Sequence, residues 1–293
     1  MKPDGSRLRS VLFAPASRPD VVAKLPRSAP DGVVLDLEDA VPPAGKADAR
    51  VVARELGARL ATEHPELAVY VRANSVVSEW FDDDVRDALT PALAGVVVPK
   101  LESVAQLERV AAALATAGCD GLGVLAGIET AAGVARVEEV LRPPVTAAYF
   151  GAEDFTADMG GARTASGTEV LYARSRVVLA ARVAGVLALD QIVTTYDDEA
   201  RFVADAELGR ALGYGGKMCI HPNQVAWANR VFSPSPEQLD QARRLLAAYD
   251  AAAAAGEAAI AFEGQMVDEP MARRARALLA LDATGGTGRP AEG

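Results

Sequence analysis

The sequence predicts an α/β fold, a (β/α)8 or TIM barrel with a C-terminal helical extension. Three observations carry this. Eight short β-rich runs recur, each followed by a longer stretch of Ala, Leu, Arg and Glu with helical spacing. The runs are near-continuously apolar rather than alternating, as strands buried on both faces of a parallel sheet are. The 293 residues accommodate a barrel, which takes roughly 250, with some chain left over. An open doubly wound sheet is the competing architecture. It usually has fewer strands and a Gly-rich first turn, and neither G-x-G-x-x-G nor G-x-x-x-x-G-K occurs here.

In chain order the strands are expected at Ser10–Phe13, Val33–Leu37, Ala68–Arg72, Gly95–Val98, Gly121–Ala126, Thr146–Phe150, Ala188–Val193 and Lys217–Ile220. Beyond the eighth the pattern changes. Ser233-Pro234-Ser235-Pro236 reads as a helix start, with Ser235 as N-cap and Pro236 at the first helical position. The helix runs through the alanines at 251–255. A short apolar segment, Ala258–Phe262, then leads through Gly264-Gln265-Met266-Val267-Asp268 into a basic helix, Pro270–Leu281. The expected organisation is therefore a barrel over residues 1–230, an extension over 231–283 too small to fold alone, and a disordered Gly/Thr/Pro-rich tail over 284–293.

Composition excludes several functions. Thirty basic against forty acidic residues give a net charge of -10, unsuited to nucleic acid or an anionic membrane. Any anionic ligand must meet a local basic cluster. No apolar run approaches a membrane span, and Val11–Ala14 is too short for a signal-peptide core; a cytoplasmic location is expected. Cys119, Cys219, His64 and His221 are too scattered for a zinc framework, a disulfide scaffold or Cys/His and Ser/His nucleophilic chemistry. A bound metal would take oxygen ligands.

In a barrel the residues just after each strand form the functional rim. Here they are charged: Asp36-Leu37-Glu38-Asp39, Arg72, Lys100 and Glu102, Glu129, Glu153 and Asp154. Such a rim must be compensated by a ligand, a metal or internal ion pairs. Glu129 and Asp154 lie about one βα unit apart, which places two carboxylates at neighbouring strand tips. That arrangement suits Mg²⁺, which keeps several waters, though each could equally form an ion pair or cap a helix. Arg72 could grip a carboxylate bidentately or steady an enolate oxygen, or neutralise Glu38, Asp39 or Glu129. Glu38 and Asp39 either face a metal through its waters or form rim salt bridges to Arg72 or Lys100. Lys100 and Lys217 make a metal-free Schiff-base aldolase the rival chemistry. Against it, Lys217 starts its strand, and the carboxylates near Lys100 would keep that amine protonated. His221, next to Pro222, reads as a turn anchor. Trp80 and Trp227 read as packing residues.

A resemblance joins these residues. Arg9-Ser10-Val11-Leu12-Phe13-Ala14-Pro15, Asp36-Leu37-Glu38-Asp39-Ala40-Val41, Val71-Arg72-Ala73-Asn74 and Val98-Pro99-Lys100-Leu101-Glu102 form its first half. Ile128-Glu129-Thr130-Ala131, Phe150-Gly151-Ala152-Glu153-Asp154-Phe155, Gly216-Lys217-Met218-Cys219-Ile220-His221-Pro222 and Gly264-Gln265-Met266-Val267-Asp268 form its second. In this order, from Arg9 to about Leu279, they resemble the citrate lyase β-subunit-like branch of the HpcH/HpaI aldolase superfamily. Two positions depart from the commoner wording: Ala16 where a glycine often follows the proline, and Glu263 where an aspartate or uncharged residue is more usual.

The resemblance implies a Mg²⁺-dependent lyase that makes or breaks a carbon–carbon bond between a coenzyme A thioester enolate and a small keto acid. Glu129 and Asp154 would bind the metal and Arg72 would contact substrate at the reacting end. Asp268 would handle the α-carbon proton in a neighbouring subunit's site, which implies a homo-oligomer, often a trimer. The substrates implied are malyl-, citramalyl- or hydroxymethylglutaryl-type thioesters. The alternatives are a citrate lyase β subunit, whose partner is an acyl carrier protein, or an aldolase for free hydroxy-keto acids. Coenzyme A carries several phosphate charges, so in an acidic chain basic residues must gather at the barrel mouth, and Arg9, Arg18 and Lys24, around strand one, are the candidates.

Overall fold

The computed structural model describes residues 8–283. The chain divides into two compact units, one ending at Phe232 and one beginning at Ser233. The expected tail, 284–293, lies outside the described residues. Among them, no helix is long and apolar enough to cross a membrane.

The first unit is a closed eight-stranded parallel barrel in sequential order: β1 (Ser10–Pro15), β2 (Gly32–Asp36), β3 (Ala68–Arg72), β4 (Gly95–Val98), β5 (Gly123–Ile128), β6 (Val145–Phe150), β7 (Leu187–Asp190) and β8 (Gly216–Cys219). β1 closes the ring by pairing with β8, Ser10 opposite Lys217. The continuous apolar runs follow from this architecture, since each strand packs both inward and against outer helices. Val34, Tyr70, Val97, Leu125, Leu189 and Met218 belong to one buried cluster, while Val33, Leu35, Val69, Val96 and Val124 join the helices in another.

Most strand limits follow the sequence reading, and two shifts matter. β5 begins and ends two residues later than expected, so Glu129 follows the last strand residue directly. β7 stops at Asp190, and the apolar residues after it leave the sheet, with Ile192 turning to the barrel mouth.

Between sheet and helices, β7 and β8 are joined by a buried charged network. Arg174 of helix Thr168–Ala184 donates to both oxygens of Asp190, at 2.8 and 2.6 Å. Lys217 Nζ donates to Asp190 at 2.7 Å and to Asp205 of helix Glu199–Leu212 at 2.5 Å. The Lys217 side chain is wholly buried. Two cations facing two carboxylates satisfy the rule that a buried charge needs a partner. They also fix both helices to the strands, and they engage Lys217 away from any nucleophilic role.

The second unit is a helix, a hairpin and a helix. Ser235 caps Pro236–Ala254 in a reciprocal capping box with Gln238, and Pro236 occupies the first turn. β9 (Ala259–Phe262) and β10 (Gln265–Asp268) pair antiparallel around Glu263-Gly264. Both turn residues have positive φ, 49° and 79°, as a two-residue hairpin turn of the mirror-image kind requires. Glu263 bears this backbone while its carboxylate pairs with Arg244. Val267, Tyr249 and Ala272 form a small core with helix Glu269–Ala283.

Removing one partner from the buried network leaves an uncompensated charge. Lys217→Met should therefore destabilise the barrel by about 3–5 kcal/mol, read as a lowered midpoint in urea unfolding.

Candidate active site

The parallel strands bring Asp36, Arg72, Glu129 and Asp154 to one end of the barrel, around a cavity of about 500 Å³. Phe13, Met218 and Ile220 supply apolar wall, and Arg72, Glu129 and Asp154 the charge. The rim reading therefore holds as geometry.

Arg72 closes β3 directly opposite Asp36, the last residue of β2. Its Nε and Nη2 donate to the two Asp36 oxygens at 2.6 and 2.7 Å, a bidentate fork. The same carboxylate accepts from the amides of Glu38 and Ala40, so it shapes the following loop as well. The Nη1 edge turns to Glu38 at 2.9 Å and Asp39 at 3.6 Å, with the Phe13 ring 5.2 Å from the guanidinium carbon. Burial works against the charge. The bond to Asp36 and its charge outweigh that, and the guanidinium pKa rises well above its ordinary value. Of the three partners expected for Arg72, Glu38 and Asp39 are present and Glu129 is not; the principal partner, Asp36, was missed. The signal was available: an aspartate and an arginine each ending a strand on consecutive, parallel runs.

Glu38 forms rim salt bridges, to Arg72 and to Lys100 Nζ at 2.7 Å. Burial raises its pKa, and those two cations pull it back. A second missed residue lies beneath. Lys46 is buried and donates to the carbonyls of Leu37 and Glu38 and to Asn74, at 2.7, 3.0 and 2.7 Å, holding the loop from below. Nothing in its local sequence marks it, because the contact joins the start of one helix to an earlier loop.

Glu129 is 2% exposed. One oxygen accepts the Lys100 amide at 2.9 Å. Burial, then the negative charges of Glu38 and Asp154 acting against Lys100, push its pKa up to about 7. The backbone of Gly151 lies so close that a Cβ there would sit 2.4 Å from the other carboxylate oxygen, so the glycine opens β6 to the side chain of β5. Asp154, in the first turn of helix Ala152–Asp158, is 42% exposed at its side chain, with Lys100 Nζ 3.5 Å away. Lys100 itself has a left-handed backbone, φ 51°. Burial lowers its pKa, but the hydrogen bond to Glu38 and the charges of Glu38, Glu129 and Asp154 raise it above the usual ammonium range. The amine stays protonated, which removes it as a Schiff-base nucleophile.

The donor set fits a hard cation. Glu129 and Asp154 open on the same cavity, and among the described residues no group of three or more His, Cys, Asp or Glu side chains gathers that could cage an ion. Further positions would fall to water and ligand oxygens, as Mg²⁺ prefers.

The proposed coenzyme A contacts separate. Arg9 precedes β1 and so stands at the opposite rim, with its guanidinium on Asp31 at 2.7 Å for both nitrogens. This corrects its assignment to the mouth: parallel strands put the residue before a strand and the residue after it a full barrel height apart. Arg18 follows β1 on the mouth side, is 61% exposed and pairs with Asp20. Lys24 is exposed beside the short turn Leu25–Ser28. His221 caps helix Pro222–Val231, its Nδ1 accepting from the Asn223 amide, and stacks on Tyr196. Asp268 ends β10, half-buried in the second unit. Trp227 packs on Phe202, and Trp80 carries the Lys46 ammonium 4.8 Å from its ring centre.

Comparison with known proteins agrees with this geometry. The HpcH/HpaI aldolase/citrate lyase family matches residues 9–222. A citrate lyase subunit beta-like protein of Deinococcus radiodurans is 56% identical over 279 residues, 94% of this chain and 98% of that one. An L-malyl-CoA/beta-methylmalyl-CoA lyase of Cereibacter sphaeroides is 35% identical, covering 92% and 93%. Protein CitE from Mycobacterium tuberculosis, solved in complex with magnesium, acetoacetate and coenzyme A, superimposes with a TM-score of 0.81 at 33% identity, over 95% of this chain and 99% of that one. With the barrel, its charged mouth and these likenesses in agreement, the chain belongs to the HpcH/HpaI aldolase/citrate lyase family and is a lyase.

Proposed function

We propose that the protein catalyses reversible, Mg²⁺-dependent cleavage of a short β-hydroxyacyl-CoA bearing a terminal carboxylate, giving an acyl-CoA and a small keto acid. The observation that carries this reading is the pair Glu129 and Asp154 opening on one cavity beside a fixed, permanently charged Arg72. Relatives support it, one named for malyl-CoA cleavage and one solved with magnesium, a keto acid and coenzyme A.

Glu129 and Asp154 would hold the metal, which supplies Lewis-acid polarisation of the substrate's carboxylate and hydroxyl oxygens when bound. The residues of this chain do the rest. Asp36 fixes the plane of Arg72, whose guanidinium offers directed hydrogen bonds to negative charge developing on oxygen. In the cleavage direction the hydroxyl gives its proton to water in the mouth, its oxygen becomes the keto acid's carbonyl as the carbon–carbon bond breaks, and that bond's electron pair passes to the thioester as an enolate. Asp268 protonates the enolate's α-carbon, and removes the proton in the reverse direction. It acts from a neighbouring copy of the chain in a homo-oligomer, a trimer in our reading. Arg18 and Lys24 meet the coenzyme A phosphates, and the apolar wall of Phe13, Met218 and Ile220 shields the acyl end.

Chelation by EDTA should abolish cleavage of malyl-CoA and related thioesters, and added Mg²⁺ should restore it; full turnover by the metal-free enzyme would overturn the reading. Glu129→Gln and Asp154→Asn should each lower kcat by about 10³-fold or more while circular dichroism stays unchanged. Asp268→Asn should slow deuterium exchange at the acetyl-CoA α-carbon, again by about 10²–10⁴-fold, with Mg²⁺ affinity retained. Mixing inactive Asp268→Asn with inactive Glu129→Gln should regenerate activity if sites are completed between copies. A mixture that stays inactive after subunit exchange refutes the shared site.

A further inference from the structure

Lys100 touches three carboxylates by two routes. Its amide donates to Glu129 at 2.9 Å. Its ammonium lies 2.7 Å from Glu38 and 3.5 Å from Asp154. One backbone conformation makes both possible. After Pro99 the chain turns through φ 51° at Lys100, and the next amide, of Leu101, returns to the β5 carbonyl of Gly127. Glycine adopts that left-handed region freely, whereas a lysine does so only at a cost. Its presence there assigns work to the side chain.

That work is electrostatic. Asp36, Glu38, Asp39, Glu129 and Asp154 crowd the mouth, and Arg72 is committed to Asp36 and Glu38. Lys46 faces backbone carbonyls below the loop. Among the described residues, Lys100 is the cation whose side chain reaches Asp154, one of the two carboxylates assigned to the metal. A divalent ion at Glu129 and Asp154 would therefore share Asp154 with an ammonium and feel its repulsion.

We infer that Lys100 is a positioning residue acting as the internal counter-cation of the metal site, orienting Glu129 through its amide while its ammonium holds down the affinity of the Glu129–Asp154 pair for divalent ions. The inference rests on the metal reading of the preceding subsection. Lys100 compensates the buried Glu129 and the half-exposed Asp154 when no metal is bound, and keeps Glu38 as its partner when one is.

The test is calorimetric titration of MgCl₂ into wild type, Lys100→Met, Lys100→Gly and Lys100→Arg, with thermal unfolding followed with and without Mg²⁺. Loss of a unit charge this close to a divalent ion should tighten Mg²⁺ binding by about tenfold or more in both Lys100→Met and Lys100→Gly. Lys100→Arg should stay near wild type. The stabilisation conferred by Mg²⁺ should grow in the two neutral variants. Lys100→Gly keeps the turn without strain, so it separates the charge from the backbone and decides the matter should Lys100→Met fail to fold. Equal or weaker Mg²⁺ affinity in the neutral variants overturns the inference. A wild type that binds no Mg²⁺ overturns the metal reading itself, and that result is visible before any variant is compared.

Discussion

Compensation of buried negative charge at the carboxyl end of the barrel is the constraint on which the site depends. Glu129 lies almost wholly out of water, pressed against Gly151, with a backbone amide on one oxygen and its pKa driven up to about 7. A carboxylate in that setting is stable as an anion only where positive charge is close at hand. The rest of the mouth is organised around this need. Lys100 bridges Glu38 and Asp154, Arg72 is locked by Asp36, and Asp154 keeps part of its carboxylate open to the cavity.

The compensation is arranged in layers. Deepest is Lys46, which fixes the loop carrying Glu38 by holding its carbonyls. Above it the Asp36–Arg72 fork ties the ends of β2 and β3 into one rigid unit, so the guanidinium is already oriented before a ligand arrives. Preorganised charge of this kind stabilises developing negative charge without reorganisation during reaction. On the far side of the sheet the Arg174–Asp190–Lys217–Asp205 network plays the opposite part, since its charges are mutually satisfied and Arg174, Asp190 and Lys217 are closed to solvent. Two clusters of similar composition thus serve different ends: one spends its charges on each other and ties helices to strands, while the other leaves Glu129 and Asp154 facing the cavity at the barrel mouth.

Much of this was legible in the sequence. The strand positions needed only apolar runs and the spacing between them, and the charged rim followed from reading the residue after each run. The resemblance named Glu129, Asp154, Arg72 and Asp268 together. Arg9 was misplaced because its positive charge was read without its position: it precedes β1 and therefore belongs to the opposite rim. Asp36 was read as a rim residue but not as the partner of Arg72, because it sits inside an apolar run and looks like the end of a strand. Lys46 left no local trace at all, since its partners lie on other segments.

The sequence by itself determined the barrel, the order of its strands and which residues stand at their ends, because periodicity and strand termination are local properties of the chain. Tertiary structure decided among the possible pairings: that the main partner of Arg72 is Asp36, that Lys100 reaches both Glu38 and Asp154, that Lys217 is sealed among Asp190, Asp205 and Arg174. Those choices depend on the register between neighbouring strands and on distances of a few ångströms across the barrel mouth. The linear sequence places a charge at the rim and narrows its partners to neighbouring strand ends, but the choice among them is made by geometry once water has been excluded.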